Sequence, residues 1–266
     1  ASGDSNADWV LLSGNRTVFQ TYNGGSMYYV SADSDIINQA VQLTLRQTDN
    51  VVSIDGIDYQ TGSPNDDDQF GFVLGFQDAS NHILLEWGGN DRGTGAGLTL
   101  YRVVSGSRSV ITSLTGAGEE WVGDVLYDFK VLYMSNQIKI MIDGVEVLNT
   151  GDLGANAFQA GGIGFYNQSQ GGVEYGNVRY APGSLTEVVP TPSNDTYAVT
   201  KNTTLTVDRF SGVLSNDYDG NLDAFNIVFD GQELTSGTSH SKTGSFGLFT
   251  LNSDGSFSYV PTTNAI

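Results

Sequence analysis

The 266-residue chain has no cysteine, so disulfides, thiolate metal sites and a cysteine nucleophile are all excluded. A secreted eukaryotic domain of this size more often carries a disulfide, and the absence leans the reading towards a bacterial exported protein. Histidine is almost as scarce. His82 and His240 are the only two, and neither has zinc-ligand spacing to the other. Basic residues number 11 against 30 acidic ones, for a formal charge of -19. A surface of that sign repels nucleic acid and anionic membranes. No apolar run approaches the roughly 20 residues of a membrane span, so membrane insertion is not expected. The start at Ala1 shows no basic-then-apolar leader, which places any signal peptide outside this sequence.

Long helical periodicity is missing as well. Instead, period-two alternation is broken by Gly, Asn and Asp, the pattern of strands and tight turns. Phe70, Phe72, Leu74 and Phe76 alternate with Gly71, Val73, Gly75 and Gln77. Ile83, Leu85 and Trp87 alternate with His82, Leu84 and Glu86. Further strands are expected over 127–134, 137–142, 145–148, 163–166 and 173–180. Asp143-Gly144 is a two-residue hairpin signal that demands positive φ at both positions. So many strands within 1–183 need a second sheet to cover their apolar faces, which makes a β-sandwich the economical fold. Residues 184–193 hold two prolines two positions apart and read as a semi-rigid linker. A second alternating region, 194–266, reads as a small Ig-like sandwich short of a final strand.

The run Asn65-Asp66-Asp67-Asp68-Gln69-Phe70-Gly71-Phe72-Val73 drives three consecutive carboxylates into a strand. Side chains so placed repel unless solvent or a cation screens them. Calcium takes about six to eight oxygen ligands and suits such a cluster, as water suits an acidic turn. Both readings stand on the residues alone.

Three blocks in order resemble the C-terminal lectin-like domain of thrombospondins. They are Asp8-Trp9-Val10 with 18–23, the run 66–78 with Leu84-Leu85-Glu86-Trp87, and 160–173. The resemblance spans 8–180 and implies a concanavalin-like jelly roll that binds calcium through Asp66, Asp67 and Asp68. The aspartate-rich repeats and cysteines of that family are absent here. Residues 194–197, 203–207, Gly212-Val213-Leu214-Ser215-Asn216-Asp217-Tyr218-Asp219 and 251–259 look like the cadherin-like repeats of bacterial surface proteins. That likeness implies part of a longer multidomain chain outside a bacterial cell. Asp217, Asp219 and Asp223 then stand as a second calcium site, against the alternative of a self-bonded Asx-rich loop.

Catalytic patterns are thin. No Gly-x-Ser-x-Gly elbow occurs. Glu86 is the lone carboxylate of its strand, and the adjacent Glu119 and Glu120 would point to opposite faces. Tyr101, Arg102 and His82 have the residue types of a lyase, with placement open. For ligand recognition, Trp87, Tyr101, Trp121, Tyr166 and Tyr175 are stacking candidates. Asn90, Asp91 and Arg92 lie in the glycine-rich loop 88–97, a length and composition suited to recognition. The expectation is a calcium-binding, non-catalytic adhesion or carbohydrate-binding segment, its partner an extracellular glycan or a cell-surface protein. A polysaccharide-degrading enzyme or its accessory module, and a ligand-free spacer, are the alternatives.

Overall fold

The computed structural model describes residues 9–12, 17–20, 26–48, 52–54, 57–59, 69–89, 96–116, 118–168, 171–186, 188–219, 226–235 and 237–262. Asp66, Asp67, Asp68, Asn90, Asp91, Arg92 and Asp223 lie outside them. The chain divides into two compact units, Ala1–Leu185 and Thr186–Ile266. The described residues form strands, bridges and turns with no helix, so the protein is all-β.

The first unit contains β1 (Trp9–Leu12), β2 (Thr17–Gln20), β3 (Ser26–Val30), β4 (Gln39–Gln47), β5 (Val52–Ile54), β6 (Ile57–Tyr59), β7 (Gln69–Asp78) and β8 (Asn81–Gly88). It continues with β9 (Gly97–Val104), β10 (Ser107–Thr115), β11 (Tyr127–Tyr133), β12 (Ile138–Ile142), β13 (Val145–Asn149), β14 (Gly162–Gln168) and β15 (Val173–Pro182). Thirteen of these strands form two antiparallel sheets, a seven-stranded one in the order β1-β2-β15-β4-β11-β12-β13 and a six-stranded one in the order β10-β9-β8-β7-β14-β3, and β5 and β6 pair as a separate hairpin. Neighbours distant in sequence, such as β4 beside β15 and β7 beside β14, mark the jelly-roll class of sandwich.

Alternation decides which side chains fill the space between the sheets. Val41, Leu43 and Leu45 of β4 and Phe129 and Val131 of β11 come from the seven-stranded sheet. Phe70, Phe72 and Leu74 of β7, Ile83, Leu85 and Trp87 of β8 and Phe165 of β14 come from the other. Phe72 crosses the interface, with its ring centroid 4.9 Å from that of Phe129, 5.8 Å from Tyr175 and 6.1 Å from Phe165. Gly71 pairs with Glu86 on one side and Tyr166 on the other. A Cβ there would lie 1.9 Å from the Leu85 carbonyl oxygen, so only glycine fits this close strand approach. Asp143 and Gly144 have φ of 51° and 79°, the geometry the β12–β13 hairpin needs. The same turn joins β9 to β10 through Ser105 and Gly106, at 50° and 76°.

The second unit holds β16 (Leu205–Val207), β17 (Ile227–Phe229), β18 (Gln232–Leu234), β19 (Ser239–Gly244), β20 (Gly247–Asn252) and β21 (Phe257–Pro261). They make a four-stranded sheet, β16-β21-β20-β19, and the hairpin β17–β18. Their shared core is Val207, Ile227, Leu234, Leu251 and Phe257. Ala-for-Phe exchange at 72 removes a ring that three other rings pack against. Phe72→Ala is expected to cost the first unit about 3–5 kcal/mol, read as a lower urea midpoint. Val110→Ala, at a residue 60% exposed, is expected to stay within about 0.5 kcal/mol. Equal shifts for the two variants would contradict this packing.

Candidate functional site

The six-stranded sheet has a second face, turned away from the core. Residues that alternate with the core positions stand on it: His82, Leu84 and Glu86 of β8, Val73 of β7, Tyr101 and Val103 of β9, Tyr166 of β14 and Tyr28 of β3. Val73, Leu84, Val103 and Tyr166 form their own buried cluster, with Tyr28, Val30, Phe76 and Tyr101 packed against it. A polar group sits on this apolar floor.

Glu86 is 3% exposed, an expensive place for a carboxylate unless it is paired. Its partner is Arg108 of the edge strand β10, whose Nη1 donates to Glu86 Oε1 over 2.6 Å. Arg108 pairs in register with Val103, which pairs with His82, so the arginine reaches diagonally across the sheet to Glu86. Its Nη2 donates to the Tyr166 hydroxyl at 3.1 Å, and that hydroxyl donates to Gln168 Oε1 at 2.8 Å. Ser26 Oγ lies 3.4 Å from the same oxygen. The guanidinium carbon is 5.7 Å from the Tyr101 ring centroid and 5.9 Å from that of Tyr166, within cation–π range. Glycine at 71 keeps the strand between Glu86 and Tyr166 free of a side chain.

The electrostatics follow from burial and this pairing. Burial opposes the charge on Arg108, but the Glu86 carboxylate overcomes it and holds the guanidinium more firmly protonated than usual. Burial, then the Glu86 charge, push the Tyr166 phenol up to about 12. Tyr28 is raised too, by burial first. Its hydroxyl has no hydrogen-bond partner among the described residues. His82 is 5% exposed. Its Nδ1 bonds the Asp78 carbonyl at 3.1 Å, and its Nε2 is buried without a partner. The rings of Tyr28 and Phe76 each lie 5.5 Å away. Burial lowers its pKa, with the Arg108 charge acting in the same sense, so the imidazole is held neutral.

Of the expected ligand contacts, Tyr101 is on this face and partly exposed. Trp87 is corrected to a core residue: strand parity puts it beside Leu85 and opposite Glu86. It is 4% exposed, and its Nε1 donates to the Glu119 carbonyl at 2.9 Å. Trp121 and Tyr175 are likewise in the core, whereas Tyr166 belongs to the polar group above. Arg102 turns to the opposite face from Tyr101. It donates to the Ala157 carbonyl at 2.8 Å and lies over Phe158, so no Tyr101–Arg102–His82 trio assembles. In the second unit, Asp217 Oδ1 accepts the Ser193 amide at 2.8 Å, and Asp219 is 5% exposed. Asp195 is raised by burial and by the neighbouring Asp217 charge. Among the described residues, no group of three His, Cys, Asp or Glu side chains has metal-binding geometry. Arg108 and Ser26 escaped the sequence reading. The signal was faint: a lone arginine in a serine- and valine-rich strand of an acidic protein.

No family model matches the sequence, and no curated protein matches it. Among solved structures, a carbohydrate-binding module, CBM66, from Bacillus subtilis is 16% identical with a TM-score of 0.47, covering 66% of this chain and 91% of that one. The galectin LEC-6 of Caenorhabditis elegans is 12% identical at a TM-score of 0.38, with coverage of 64% and 99%. A GH43 protein, BlXynB from Bacillus licheniformis, is 10% identical at a TM-score of 0.42, covering 66% of this chain but only 34% of that one. At such identities and scores these likenesses transfer no residue role.

The His82 environment sets a pH dependence. The folded-state pKa lies below the unfolded value of about 6.5, so the unfolded chain binds the proton more readily. This residue's stability is therefore whole above about pH 6.5 and is lost as the pH falls through that value towards the lower folded-state one. Against a His82→Phe variant, wild type is expected to lose relative stability between about pH 7 and 5 in urea titrations. A constant difference across that range would contradict the buried neutral imidazole.

Proposed function

We propose that the first unit is a non-catalytic carbohydrate-binding module whose ligand lies on the outer face of the six-stranded sheet. The observation that carries this is the Arg108–Glu86–Tyr166 group flanked by the partly exposed rings of Tyr28 and Tyr101. A pyranose or furanose presents hydroxyls that both donate and accept, and faces of C–H groups that stack on aromatic rings. The face supplies matching parts. Arg108 donates, and the Tyr28 hydroxyl does both, while the buried Tyr166 holds Arg108 in place from below. Ser26 and Gln168 extend the polar edge, and Tyr28 and Tyr101 offer apolar surface. The pairing also pre-orients Arg108, whose side chain is still 37% exposed, so little conformational entropy is lost on binding.

Removing a hydrogen bond to a charged group costs about 1.5–3 kcal/mol, or more than tenfold in affinity. Arg108→Lys keeps the charge beside Glu86 but loses the planar fork. On a glycan array followed by calorimetry, Arg108→Lys and Tyr101→Ala are each expected to weaken the bound glycan at least about tenfold, with unfolding midpoints near wild type. Unchanged affinity in both variants would remove this face from the function.

We further propose that Asp66, Asp67 and Asp68 hold calcium, and that the protein works outside a bacterial cell, where millimolar calcium fills even a weak site. Mutual repulsion of three consecutive carboxylates supports the metal. At a hundredfold excess over Kd, calcium would stabilise the first unit by about 2.7 kcal/mol. The expected result is a melting temperature lowered by EDTA in wild type and insensitive to EDTA in Asp67→Ala. An identical wild-type melting curve with and without EDTA would end the metal proposal.

A further inference from the structure

The charges on the outer face bear on what kind of saccharide it takes. We infer that the ligand is a neutral polyhydroxylated glycan, without carboxylate or sulfate groups, recognised by a charge pair that is already balanced. This deepens the carbohydrate reading and rests on it. In the strands of the six-stranded sheet the arginines are Arg102 and Arg108, and there is no lysine. Arg102 is turned away and engaged by the Ala157 carbonyl and the Phe158 ring. Arg108 is matched by Glu86 at 2.6 Å. His82 stands neutral on the same face, with its Nε2 buried.

An incoming carboxylate or sulfate would thus meet Arg108 and Glu86 together. Attraction to one is offset by repulsion from the other, and drawing Arg108 away would break its ion pair with a carboxylate that is only 4% exposed along its side chain. The formal charge of -19 adds a longer-range repulsion of polyanions. A hydroxyl meets none of these penalties. It can accept from an Arg108 N–H and donate to the Tyr28 oxygen, leaving the Arg108–Glu86 bond in place. The expected signature is affinity with little dependence on salt, because no ion pair forms between protein and ligand.

The test uses the full chain and a defined panel: β-glucan, xylan, galactan and mannan beside polygalacturonate, alginate and heparin. Calorimetric titrations at about 20 mM and about 500 mM NaCl separate contact from screened attraction. At least one neutral polymer is expected to bind at least about tenfold tighter than every anionic one, with Kd changing less than about twofold between the two salts. An anionic polymer that binds tightest at low salt and weakens at high salt would overturn the neutral-ligand inference while sparing the carbohydrate reading. Absence of binding to every polymer would overturn both. Neutral-polymer binding unaffected by both Arg108→Lys and Tyr101→Ala would leave carbohydrate binding standing but overturn the inference from this charge pair, since the ligand would then sit elsewhere.

Discussion

Glu86 and Arg108 form the contact around which the outer face of the six-stranded sheet is built. A carboxylate as buried as Glu86 costs several kcal/mol unless a cation meets it. Arg108 meets it from an edge strand, where the backbone has one open side and a long side chain can lie across its neighbours. The reach has consequences on the way. It carries the guanidinium past the Tyr101 ring, brings Nη2 to Tyr166, and fixes the direction of the Tyr166 hydroxyl towards Gln168. It also needs Gly71 between Glu86 and Tyr166, where backbone packing admits no Cβ.

An ion pair of this kind is weak evidence for stability, because an apolar pair of similar volume often does as well or better. The floor beneath it is already apolar: Val73, Leu84 and Val103 would have welcomed another aliphatic neighbour. A pair kept at that position, with its cationic member partly open to solvent, fits recognition better than cohesion. The partly exposed tyrosines on the same side supply what the charged pair lacks, a surface for C–H groups.

Much of the fold was legible from residue order. The Phe–Gly alternation of β7 and the Ile–Leu–Trp alternation of β8 are strand signatures, and Asp143-Gly144 gave its hairpin because positive φ is cheap there. The short strands at the start, β1 to β3, were not legible, since four or five residues carry too little period. The β9–β10 hairpin was missed because Ser105 seldom adopts the left-handed conformation it holds here. Parity within a strand was decisive and could have corrected Trp87, which shares its face with Leu85, not with Glu86. The site itself could not be read from spacing. Glu86 looked solitary because its partner lies 22 residues later and two strands away, and only the sheet order β10-β9-β8 brings them together. His82 showed the same limit, its aromatic neighbours coming from β3 and β7.

The most direct measurement is a crystal structure of the full chain bound to the saccharide that an array selects. The account requires sugar hydroxyls within hydrogen-bond distance of Arg108, a sugar face against Tyr28 or Tyr101, and the Arg108–Glu86 contact intact. A saccharide seated on any other surface, with the Arg108 face empty, would contradict it.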